Sequence, residues 1–99
     1  MIFNSPIVQK YILSGAKLVS KIRRKGYYRV SRKVIEKVRD KRFSDKVVTI
    51  TPLTPSSLSR LVTYSGFKSV EEWIMEAKKL HKAKIDPNKF EIIVVEISS

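Results

Sequence analysis

The chain has 99 residues, of which 21 are Lys or Arg and nine are Asp or Glu, a formal charge of +12 at pH 7. That length and a hydrophobic content of 42% give one globular domain over residues 1–99, with one core and no disordered tract. No apolar run approaches the ~20 residues that cross a bilayer. The absence of cysteine excludes disulfides, thiolate metal centres and thiol catalysis.

The charge is lopsided. Residues 1–46 hold 14 basic and 3 acidic side chains, whereas residues 47–99 hold 7 and 6. A basic half beside a balanced half has the pattern of a binding face for a polyanion. Gln is used once and Asn and Met twice each, beside 30% charged residues. That composition is the hyperthermophile pattern, which raises both signs of charge and leaves the imbalance unexplained. The opening MIFNSPIVQKYILSGAK has no basic residue ahead of its apolar part, so no secretory signal and a cytoplasmic location are expected.

In chain order, NSPIVQKYILSG predicts a short helix with Ser5 as cap, Pro6 in the first turn and Gly15 as a left-handed stop. KLVSKIRRKGYYRV predicts extended structure with a turn at Lys25-Gly26, in the manner of a hairpin. In SRKVIEKVRDKRF, Val34, Ile35 and Val38 stand at helical spacing behind a Ser31 cap, and a helix is the preferred reading over a strand. DKVVTITPL is a β-branched strand. Thr54 then caps a helix with Pro55 in its first turn and Leu53 stapled to Leu58. SVEEWIMEAKKLHK is an amphipathic helix with a Ser69/Glu72 capping box and a stripe of Val70, Trp73, Ile74, Ala77 and Leu80. FEIIVVEI is apolar on both faces, as a central strand covered on both sides must be. The fold class expected is α+β.

The run from Pro52 to the last strand, with Gly66, Phe67, Ser69, Glu71 and Glu72 in its middle, resembles the ASCH domain, a PUA-like family, over about residues 46–97. Gly15, Lys17 and Ser20 match part of that family's Gly-x-Lys-Thr-x-Thr loop; Leu18 and the late Arg23 depart from it. The resemblance implies a partly open β-barrel or mixed sheet with helices around it and a cleft associated with RNA or modified nucleosides. Some members resembling this chain are amidohydrolases of acetylated cytidine, acting through a lysine, a threonine and a glutamate. In size and composition the chain also looks like small basic proteins of filamentous viruses of hyperthermophilic archaea, which would place it in the host cytoplasm.

Three functions stay open. The first is nucleic-acid binding, RNA in preference to DNA, through Lys21, Arg23, Arg24, Lys25, Tyr27, Tyr28, Arg29, Arg32, Lys33 and Lys37. Here cations neutralise phosphates and a tyrosine ring stacks on a base. The structural alternative is that, since adjacent strand residues point to opposite faces, one of Tyr27 and Tyr28 lies in the core and the lysines are merely solvated. The second is an amidohydrolase in which Lys17 acts as base to Ser20. Ser65 stands where the family's glutamate is expected, which weighs against an enzyme. The third is a protein-interaction module that meets an acidic partner or forms a homodimer. No cofactor is expected and no metal, because His81 is the sole histidine and no carboxylates outside the capping box have ligand spacing.

Overall fold

The computed structural model describes residues 5–31, 33–38 and 41–98, with residues 34–37 described by their backbone alone. In chain order the elements are α1 (Pro6–Leu13), β1 (Leu18–Arg24), β2 (Lys33–Val38), β3 (Lys41–Pro52), α2 (Pro55–Leu61), a 3-10 turn (Val62–Tyr64), α3 (Val70–His81) and β4 (Phe90–Ser98). The strands form one open sheet in the order β1-β4-β3-β2. Every pairing among the described residues is antiparallel, so the α+β class holds and the sheet is not mixed.

β4 is central, as its two apolar faces require. Ile92 and Ile93 are neighbours in sequence, point to opposite faces and are both 0% exposed. On one face Ile92, Val94 and Phe90 pack with Ile22, Leu58, Leu61 and Trp73 from β1, α2 and α3. On the other, Ile93, Val95 and Ile97 pack with Ile12 of α1, Val19 of β1 and Phe43 and Val47 of β3. Burying such a side chain fully contributes about 1.5–3 kcal/mol. The two clusters on either face of β4 therefore carry the fold.

The later helices form as their local signals dictate. Thr54 Oγ1 accepts from the Ser57 amide at 3.1 Å, with Pro55 in the first turn. Ser69 Oγ accepts from the Glu72 amide at 3.2 Å. The Glu72 carboxylate reciprocates one residue early, on the Lys68 amide at 3.3 Å. Trp73 and Ala77 are buried from the α3 stripe, whereas Leu80 lies partly outside the core at 40% exposure. In α1, Pro6 sits in the first turn, but Ser5 makes no side-chain cap. Gly15 follows that helix in the left-handed region, at φ +100°. Gly66 is needed at its turn, because φ is +88° and a Cβ would come within 3.1 Å of Tyr11 Cβ on α1.

Two expectations are corrected. The helix over residues 31–42 is not there: Lys33–Val38 and Lys41–Pro52 are paired strands. Ser31 cannot cap a helix at φ +71°, since a capping residue needs extended backbone; its amide donates instead to the Val47 carbonyl at 2.7 Å. Val34, Ile35 and Val38 are β-branched and suit a strand as well as a helix, and β3 supplies the partner that decides. The segment after Gly26 also does not fold back on β1. The turn exists, with φ +89° at Gly26, but β1 pairs with β4 from Leu18↔Glu96 to Arg24↔Phe90.

Candidate nucleic-acid interface

The basic residues of the first half divide into two groups, because β1 and β2 are opposite edges of the sheet. Three strand spacings separate them, about 14 Å. Arg24 lies opposite Phe90 near one end of β4, and Lys46 opposite Glu96 near the other. The two groups thus occupy diagonal corners.

At the first corner Lys21 is not available for binding. It is only 4% exposed, because α1 and α3 cover the two faces of β1. Arg23 is half-buried, and its guanidinium donates to the Ile22 carbonyl at 2.9 Å. Arg24 and Lys25 are exposed. The Arg24 guanidinium stands 5.0 Å from the centre of the Phe90 ring. That ring also meets His81 in a T-shaped contact, with centroids 5.0 Å apart. His81 Nε2 lies 3.2 Å from the same Ile22 carbonyl, a bond that only the Nε2–H form donates. Burial pushes the His81 pKa below its ordinary value, and the Arg23 and Arg24 charges push it further, against the opposing effect of that hydrogen bond. The histidine thus packs and satisfies an edge carbonyl. No group of three or more His, Asp or Glu among the described residues could hold a metal.

At the second corner the outer hairpin presents cations in register. Lys33 stands opposite Lys46, Lys37 opposite Arg42, and Val38 opposite Lys41. Phe43, Asp45 and Val47 are buried, so the intervening Arg42, Ser44 and Lys46 face outward, and Lys33 and Lys41 are exposed too. Like charges directly opposite one another destabilise a sheet, and Lys33 and Lys46 are such a pair. Lys37 is described by register alone and Arg32 lies outside the described residues. Lys46 escaped the sequence reading. Its signal was the alternation of polar and apolar residues from Arg42 to Val47, which begins β3 before Asp45.

Between the corners runs the loop that leaves β1 at Lys25 and reaches β2 after Ser31. Tyr28 is half-buried against the Ile12/Ile93 cluster, while Tyr27 is 67% exposed; one tyrosine turns inward, although neither lies in a strand. Arg29 is exposed beside it.

The structure does not bring Lys17 and Ser20 together. Ser20 is buried, and its hydroxyl donates to the Leu61 carbonyl at 2.6 Å. It lines a narrow cleft of about 40 Å³ at the open edge of β1, between α1 and α3, with Ser5, Lys21, Ser65 and Glu76. Lys17 is exposed and lines a different concavity with Phe43 and Glu96. Ser65 holds its own turn, donating to the Val62 carbonyl at 2.6 Å and accepting from the Phe67 amide at 3.1 Å.

Fold and charge define a small α+β protein with an open antiparallel sheet and a divided basic surface. Over 98 residues the chain is 56% identical to "Uncharacterized protein 105" of Sulfolobus islandicus rod-shaped virus 1, covering 99% of this chain and 93% of that protein. The chain belongs to the family of that archaeal-virus protein, in keeping with the viral likeness of its size and composition. No protein-family model and no solved structure matches it.

Proposed function

We propose that the protein binds nucleic acid, RNA in preference to DNA, in the host cytoplasm. Its exposed cations Arg24, Lys25, Arg29, Lys33, Arg42 and Lys46 grip phosphates. The observation that carries this reading is the opposition of Lys33 and Lys46 on the outer hairpin. Opposed lysines repel in the free protein, where Glu96 beside Lys46 offsets only one of the two charges, whereas a phosphate between them turns the repulsion into attraction. The ASCH-like run from Gly66 to Glu72 supports the same reading, since that family's cleft is associated with RNA. The separation of Lys17 from Ser20 favours binding over acyl transfer.

The test is titration of labelled RNA and DNA across a salt series. About five neutralised phosphates give a slope of log affinity on log salt of about −3.5 to −4.5. RNA is expected to bind more tightly than DNA of the same sequence. A flat salt dependence, or no binding at low salt, overturns the proposal. Capture of an acidic protein that survives nuclease treatment, with no nucleic acid retained, would favour the interaction-module reading instead.

A further inference from the structure

We infer that the loop between β1 and β2 seats an unpaired nucleobase, so that the protein selects single strands over duplexes; this rests on the nucleic-acid reading above. The loop is pinned at three places. The Lys25 amide donates to the Lys89 carbonyl at 3.0 Å, and the Ser31 amide to the Val47 carbonyl at 2.7 Å. Between them Tyr28 is packed on the core. Ser31 holds a left-handed φ of +71°, a conformation that costs a non-glycine residue on the order of 1 kcal/mol and persists only where the surroundings impose it.

This anchoring presents Tyr27 and Val30 outward, 67% and 57% exposed, instead of burying them. With Gly26, Arg29 and Ser31 they line one open concavity. A phenol ring and a valine offer apolar surface, and a guanidinium beside them offers charge. The matching ligand has a flat apolar face and an attached anion, as a base has in a nucleic-acid strand. Position argues the same way. The loop leaves β1 directly after the exposed Arg24 and Lys25, so cations stand at the near end of the concavity that Gly26 and Tyr27 line. A second copy of this chain, itself at +12, would be repelled from such a seat. Duplex bases are stacked on one another and cannot enter it.

The experiment compares a short labelled single-stranded RNA, its duplex, and an abasic strand of equal length that keeps the phosphates. The base-bearing single strand is expected to bind about 5- to 150-fold more tightly than the abasic one. Tyr27→Ala should remove that advantage and leave the salt slope unchanged, while Tyr27→Phe keeps both. Equal binding of base-bearing and abasic strands overturns this inference and leaves the phosphate reading standing. So does a Tyr27→Ala variant that keeps the full preference. Failure of all three ligands to bind overturns both.

Discussion

Lys33 and Lys46 face each other across the β2–β3 ladder, both exposed, and on its other side Lys46 faces Glu96 of β4. The pair costs the free protein stability at a place where one acidic substitution would relieve it. Lys33→Glu is therefore expected to stabilise the protein by about 0.2–1 kcal/mol. It would appear as a higher urea midpoint at unchanged m, with the gain shrinking as salt is raised. The same variant should bind nucleic acid more weakly and with a shallower salt slope. A variant that loses stability, or that binds as tightly as the parent, contradicts the role given to this pair.

His81 should make stability depend on pH in a defined direction. Its folded pKa lies below the ordinary 6.5, so between the two values the unfolded chain binds more protons than the native one. Stability from this residue is complete above about pH 6.5 and falls on acidification through the folded pKa. His81→Gln should flatten that part of the profile in urea titrations read at successive pH values. Arg23→Gln or Arg24→Gln should raise the imidazole pKa toward its ordinary value, as followed by NMR. Bound RNA should do likewise by neutralising Arg24. An imidazole that titrates identically in all these states would refute the coupling.

Ser20 and Lys17 should behave as structure and surface respectively. Ser20→Ala removes the buried hydrogen bond to the Leu61 carbonyl and is expected to cost about 0.5–1.5 kcal/mol. Lys17→Ala is expected to stay within about 0.5 kcal/mol of the parent. Neither should change any deacetylation of acetylcytidine above background. Loss of a measurable activity in both variants would restore the enzyme reading.

Where the determinants are local, the sequence could be read directly. The caps Thr54 and Ser69 and the prolines Pro6 and Pro55 act within one helical turn, so α2, α3 and most of α1 were legible. The two apolar faces of Phe90 to Ile97 likewise announce a central strand without reference to its neighbours. Ser5 fails as a cap although its residue type suits one. A side chain's preference does not say whether tertiary packing leaves its hydroxyl facing the amides.

The sequence by itself determined the α+β class, the late helices, the central strand and the concentration of positive charge in residues 1–46, because propensity, capping and net charge are short-range or additive. Tertiary structure alone decided that residues 33–38 are strand, that Lys21 is buried while Arg24 is exposed, and that Tyr28 rather than Tyr27 enters the core. It also decided that Ser20 serves the Leu61 carbonyl and that Lys33 meets Lys46. Each of these depends on a partner remote in the chain, and strand pairing draws its energy from such partners more than from intrinsic preference.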